Sequence, residues 1–125
     1  MAVRFIKKPR LEELSFKAQH HEEAVSQRPS SFSLACAVHK QDEAYDAVRM
    51  GVEITNKEKD VLLEGCVQYS FTLEDGVSVD RKDVIDEFWP VIRRLMLTAF
   101  AGFEIQPPTL PWENPFANTH KPESR

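Results

Sequence analysis

Hydrophobic and polar residues alternate along four stretches between Arg10 and Leu73, after which the period changes. From Arg10 to His20, Leu14, Phe16 and Ala18 alternate with Ser15, Lys17 and Gln19. The stretch Gln27-Arg28-Pro29-Ser30-Ser31 breaks the pattern. Phe32, Leu34, Cys36 and Val38 then fall on one face, with Ser33, Ala35, Ala37 and His39 on the other. From about Ala44 to Ile54, Val48, Met50, Val52 and Ile54 oppose Tyr45, Arg49 and Glu53. Asn56-Lys57-Glu58-Lys59-Asp60 reads as a hairpin loop. The fourth run sets Val61, Leu63, Val67, Tyr69, Phe71 and Leu73 against Glu64, Gln68, Ser70 and Thr72. A period of two predicts strands with one covered face and one wet face. Glu74-Asp75-Gly76 closes the last strand.

From about Asp83 the spacing becomes helical. Val84, Ile85, Phe88, Ile92, Leu95, Met96, Ala99 and Phe103 recur at i, i+3 and i+4. A proline deep in a helix loses a hydrogen bond and clashes with the preceding turn. Pro90 therefore predicts a short turn or helix before Phe88, then a main helix with Pro90 in its first turn and Gly102 as its stop. No segment between the strands is long enough for a crossover helix, so the fold class is α+β: a four-stranded antiparallel sheet, one long helix and a proline-rich C-terminal segment. That last segment carries five of the eight prolines, with Ile105, Leu110, Trp112 and Phe116 among them. Residues 105–116 are expected to be extended and docked. The division is an arm at 1–9, one domain at 10–116 and a frayed tail at 117–125.

The helix carries more apolar surface than one stripe. Leu97 and Phe100 extend it, and Arg93 and Arg94 are the only charges between Phe88 and Gly102. Leaving five large side chains wet forgoes roughly 7–15 kcal/mol of burial, at about 1.5–3 kcal/mol each. That rivals the net stability of a domain, about 5–15 kcal/mol. Self-association or a binding groove follows.

Composition narrows the function. A chain of 125 residues, 42% apolar and 29% charged, suits one domain. A net charge of −4, with no basic run beyond Lys7-Lys8-Pro9-Arg10, argues against nucleic-acid binding. No apolar run approaches the roughly 20 residues of a membrane span, and residues 1–8 lack a secretory core. Cys36 and Cys66 match no metal or redox spacing and read as reduced core thiols, which places the protein in the cytoplasm.

Candidate chemistry is sparse. His20-His21-Glu22-Glu23 is the one His/carboxylate cluster, yet adjacent strand residues point to opposite faces, so no metal is expected. Cys36 and His39, three apart on a strand, also face apart, and no glycine-rich oxyanion loop accompanies them. Asp42-Glu43 and Asp86-Glu87 read as loop solubility and helix N-terminal charge. With four glycines there is no phosphate loop, and no cofactor is expected. What remains is apolar. Trp89, Leu97, Phe100, Trp112 and Phe116, off the stripe or in the tail, are the candidate polypeptide-binding residues. Exposed strand edges can add main-chain bonds to such a ligand.

Arg10-Leu11-Glu12-Glu13-Leu14-Ser15-Phe16-Lys17-Ala18 resembles the first strand of SecB chaperones. Phe88-Trp89-Pro90-Val91-Ile92-Arg93-Arg94-Leu95 is similar to the aromatic-proline start of that family's long helix. Phe103, Gln106-Pro107-Pro108-Thr109-Leu110-Pro111 and Trp112-Glu113-Asn114-Pro115-Phe116 resemble the stretch that follows it. The resemblance covers Arg10 to Phe116. It implies a dimer of dimers with helices layered between two sheets, an interface including Leu14, Phe16, Ile92, Leu95, Met96 and Phe103, and an ATP-independent holding chaperone, not an enzyme, whose clients are unfolded polypeptides.

Family members that serve the SecA motor use acidic residues on the sheet. Glu13 matches one such position, but Lys17 inverts a second and Glu64 falls one place away. SecB-like proteins also pair with toxin–antitoxin systems, so a dedicated interaction protein is the alternative. A small hotdog-like enzyme is a third reading, for which the sequence assembles no convergent polar pocket.

Overall fold

The computed structural model describes residues 3–19, 27–42, 44–74, 79–105 and 109–116. Four strands, β1 (Arg10–Ala18), β2 (Ser31–Gln41), β3 (Ala44–Thr55) and β4 (Val61–Ser70), precede one helix, α1 (Arg81–Gly102). The strands form a single sheet in the order β1-β4-β3-β2, antiparallel throughout. The α+β class read from the alternation is the observed one, and β1 and β2 are the two edges.

Register follows the pattern. Leu34, Val52, Gly65 and Phe16 lie across the sheet in one row, and Cys36, Met50, Val67 and Leu14 in the next. These rows face α1. The opposite face carries Ser33, Glu53, Glu64 and Lys17 in one row and Ala37, Arg49, Gln68 and Glu13 in another. Gly65 has a reason to be glycine: a Cβ there would stand 2.1 Å from the Phe16 ring, which lies over the gap. An aromatic ring on an edge strand thereby covers a glycine on its neighbour.

The hairpins have local causes. Asp42 takes a left-handed φ of 53° in the short β2–β3 turn, a conformation Asp tolerates better than most residues. In the β3–β4 loop the buried Asn56 accepts from the Asp60 N–H at 2.8 Å through its side-chain carbonyl. Ahead of β1, Phe5 bridges Leu73, while Ile6 N–H donates to Thr72 O and Glu74 N–H to Arg4 O. The arm thus extends the sheet edge past the end of β4.

Asp80 caps α1 in a reciprocal box, accepting from Asp83 N–H at 3.1 Å while Asp83 accepts from Asp80 N–H at 3.3 Å. The helix is one element, not two. It runs through Pro90, which sits on the exposed side while Phe88, Trp89 and Ile92 are buried. An interior proline costs about 3 kcal/mol. Burying those three large neighbours at about 1.5–3 kcal/mol each outweighs it. Gly102 ends the helix, and Glu104 at φ 59° turns the chain away.

α1 packs most closely against β3 and β2. Its buried ridge is Val84, Phe88, Ile92, Met96 and Phe100, joined by Ile85 and Trp89. This row of every fourth residue drifts around the helix, so Phe100 joins the core whereas Phe103 lies outside it. Part of the helix surplus is covered within the chain itself. A strap of residues 109–116 lays Leu110 and Phe116 onto the core, and Phe5 stacks edge-on against Phe71 and Phe88.

Candidate functional site

Three apolar features remain open once this core is closed. The first is the flank of β1. Because α1 lies over β2 and β3, the helix-facing side chains of β1 are only partly covered: Leu14 is 50% exposed, Leu11 nearly as much, and Phe16 is half-buried. Phe103 is exposed at the end of the helix.

The second is the strap. Trp112 is 80% exposed, yet its ring is fixed. The Arg93 guanidinium lies 3.8 Å from the ring centroid, and it donates to Pro111 O at 3.0 Å and Leu110 O at 3.3 Å. A cation over an indole face attracts it electrostatically. Trp89, buried on the other side of the strap, donates its indole N–H to the same Pro111 O at 3.1 Å and meets Phe116 edge-on. The strap is closed by Asn114, which donates to Asp86 at 2.9 Å and accepts from Phe116 N–H at 2.7 Å. Lys82 also bonds Asp86, at 2.7 Å. Partial burial raises the Asp86 carboxyl, but the hydrogen bonds from Lys82 and Asn114 outweigh it and hold the group below its ordinary value. Between strap and helix lies a cleft of about 380 Å³ with Trp89, Pro90 and Trp112 as apolar walls and Lys82, Asp86, Glu113 and Asn114 as rim.

The third is the outer edge of β2. Gln19 N–H bonds Leu62 O and Phe71 N–H bonds Asp46 O. With the register, these bonds fix which residues turn their main chain which way. Ser33, Ala35, Ala37 and His39 bond inward to β3; Phe32, Leu34, Cys36 and Val38 turn their N–H and C=O outward. Among the described residues, one group bonds this edge: the Arg81 guanidinium donates to Cys36 O at 3.2 Å.

The residues singled out from sequence are distributed unevenly over these features. Trp112 stands on the surface and Leu97 is half-buried, whereas Trp89 (1% exposed), Phe100 (0%) and Phe116 are in the core. Among the interface candidates, Leu14 and Phe103 are exposed, Phe16 and Leu95 half-buried, and Ile92 and Met96 fully buried. Glu13 is held by Arg49 at 2.6 Å, and Arg49 also donates to Gln68 at 2.9 Å. Glu64 accepts from Gln19 at 2.7 Å and stands opposite Lys17. Sequence reasoning passed over Leu11, Arg81 and Arg93. A charged residue three places before the first residue of the helix stripe, as Arg81 is, gave no sign of what it touches.

Burial pushes the Cys36 thiol up to about 11 against a smaller lowering by Arg81, so it holds its proton at neutral pH. Cys36 lies on the helix side of the sheet and His39 on the outer side, where it bonds Asp46 at 2.6 Å. Among the described residues no three His, Cys, Asp or Glu side chains gather to hold a metal; His20-His21-Glu22-Glu23 lies outside the described residues. No helix among them is long and apolar enough to cross a membrane.

No protein-family model matches the chain, and no curated protein matches it. The four strands ordered β1-β4-β3-β2, with one long helix across a face, make a SecB-like fold. In particular, the chain is similar to the Rv1957 SecB-like chaperone of Mycobacterium tuberculosis, solved with a ChAD peptide from the HigA1 antitoxin. The likeness covers 84% of this chain and 86% of that one at a TM-score of 0.51 and 15% identity, a level that speaks for the fold.

Proposed function

We propose that this protein is an ATP-independent, non-enzymatic holding chaperone of the cytoplasm that binds unfolded or non-native polypeptide segments on apolar surface and works as a homo-oligomer. One observation carries the reading: a complete, self-covered core coexists with large apolar side chains left outside it, Leu11, Leu14, Phe103 and Trp112. A domain that only had to fold would gain by covering them. Trp112 is the client contact, since Arg93 fixes it in place and ordering it on binding costs little entropy. The flank of β1, whose outer main-chain edge no other described strand pairs and whose Leu14 is half open, is where a second copy joins. The Glu13–Arg49 ion pair and Lys17 support leaving a SecA-type motor out of this reading.

The test is a panel of chemically denatured proteins offered to the wild type and to Trp112→Ser, with light scattering to follow aggregation and particle mass. Holding of many clients, weakened in Trp112→Ser at unchanged oligomer mass, is the expected result. A monomer that delays no client's aggregation would sink the proposal. The antitoxin peptide on the mycobacterial protein favours a second reading, a dedicated interaction protein of toxin–antitoxin type or a secretion component. Tight binding of one partner with indifference to the panel would select it.

A further inference from the structure

We infer that the cleft between the strap and α1 is a subsite for a proline-containing segment in the polyproline II conformation, seated against the Pro90 ring and the Trp112 indole. Resting on the holding function proposed above, the assignment names what the Trp112 contact selects from a client.

Polyproline II is a left-handed extended helix with no internal hydrogen bonds, and unfolded chains populate it heavily. Where it is rich in proline it lacks N–H donors and displays free carbonyls. A site that selects it therefore offers rings to stack on and donors for carbonyls. The cleft has that make-up. Its volume of about 380 Å³ lies at the small end for a ligand site, room for a short stretch of chain and not for a folded partner. Pro90 and Trp112 are its exposed apolar walls. Among the described residues the Trp112 indole N–H meets no acceptor and the Glu113 carboxylate no donor.

The molecule already performs this recognition on itself. The strap presents two carbonyls, Leu110 O and Pro111 O, and α1 supplies the donors. Trp89 gives its indole N–H to Pro111 O at 3.1 Å, and Arg93 bonds Pro111 O at 3.0 Å and Leu110 O at 3.3 Å. One proline-containing stretch is thus held through its carbonyls by an indole and a guanidinium. Trp112 stands on the outer side of that contact, its ring against Arg93 and 80% exposed to the described surroundings. A second stretch laid on it continues an interface the fold has already built.

Pro90 is an independent observation. It lies inside a 22-residue helix, where it supplies no N–H, and it is exposed, so it serves neither the helix nor the core. Any good helix former would suit the fold better there. A local rule broken without gain to the core marks a functional position, and this ring lines the cleft together with Trp112.

The charge of the occupant follows from the rim. Asp86 and Glu113 outnumber Lys82, which is already bonded to Asp86 at 2.7 Å. A basic residue beside the proline suits Glu113, and an acidic one does not.

The probe is an acetylated hexaproline with one terminal arginine, titrated by calorimetry and by the indole N–H resonances of the two tryptophans. Its comparators are hexa-alanine with arginine, a valine–serine hexapeptide with arginine, and hexaproline with glutamate. The probe should bind at least tenfold more tightly than the first two and several-fold more tightly than the third. The Trp112 resonance should move while that of Trp89 stays. Trp112→Phe keeps a ring and loses the N–H, so binding should weaken about twofold to tenfold. Trp112→Ala should abolish it. Pro90→Ala should raise the unfolding midpoint and yet weaken hexaproline binding at least threefold, a combination that a merely structural proline does not give.

Equal affinity for the proline, alanine and valine–serine peptides would overturn the inference, leaving a general apolar contact. A Trp112 indole N–H already protected from solvent exchange in the free protein would overturn it too, giving the cleft to another segment of this chain. A denatured client is measured in parallel. If it is held through Trp112 while hexaproline stays unbound, the holding function survives and only the proline assignment falls. If neither is bound, both fall.

Discussion

The two edges of the sheet are alike in backbone and opposite in surroundings. Both β1 and β2 turn outward the main chain of their helix-facing residues. Beside β2 that apolar face is roofed by α1 and its centre is capped by Arg81. Beside β1 the roof is missing, so Leu11 and Leu14 stand half in water, and the strand carries charges at Arg10, Glu12, Glu13 and Lys17 together with a register shift between Leu11 and Glu13. The roof decides what each edge exposes: half-open leucines where it is absent, covered side chains where it is present. Strand pairing and face burial are separable, and a protein with two edges can assign them to different partners.

The largest effect should come from disturbing how β1 is fastened. Gly65→Val puts a branched side chain where the Phe16 ring lies, and overpacking of this kind costs about 1–3 kcal/mol. Denaturant unfolding should show that loss, with part of it recovered in the Gly65→Val, Phe16→Ala double variant. Additive costs would mean the ring does not hold the edge.

Next comes the asymmetry itself. Leu14→Lys places a charge on the open flank at a position already half-exposed, so the fold should survive. Only the exposed half of Leu14 remains to be buried by pairing, so at about half of the 1.5–3 kcal/mol for a whole leucine self-association should weaken about tenfold. Light scattering would read a lower particle mass while client holding through Trp112 persists. Loss of both together would mean that the β1 flank and the Trp112 surface do not act separately.

The smallest effect is on the strap, which belongs to neither edge. Asp86 is held below its ordinary 3.8, so its contribution to docking the strap is complete above that pH and is lost as pH falls through the lower folded value. An acid titration followed by the Asn114 side-chain amide resonances should show the strap loosening below about pH 3.8, with the β1 register unchanged. Asn114→Ala should move the onset toward ordinary carboxylate behaviour.

The strands were legible because a period of two leaves few alternatives: the starts of β3 and β4 fall where the alternation begins, and Val48, Met50, Val52 and Ile54 face the helix as their spacing requires. The helix was harder. Pro90 read as a boundary because the local rule against interior proline is strong, but burial of Phe88, Trp89 and Ile92 on either side overrides it. Trp89 and Phe100 read as surplus because a wheel drawn for one helix does not contain the strap that covers Trp89, nor the drift of a ridge toward Phe100. The site was legible in part. Trp112 was visible as an aromatic residue among prolines, whereas the Arg81 cap depends on which way Cys36 O points, a matter of hydrogen-bond parity across three strand pairs.

Two indoles, Trp89 of α1 beneath the strap and Trp112 on it, amount to a built-in pair of optical reporters. Trp89, enclosed and hydrogen-bonded to Pro111 O, should emit toward the blue and ignore an aqueous quencher such as iodide. Trp112, open to water under a guanidinium, should emit toward the red and be quenched readily. Occupation of the surface around Trp112 would shift only the red component and shield it from iodide, whereas release of the strap would convert the blue component as well. Unlabelled protein thus distinguishes loading from opening by colour.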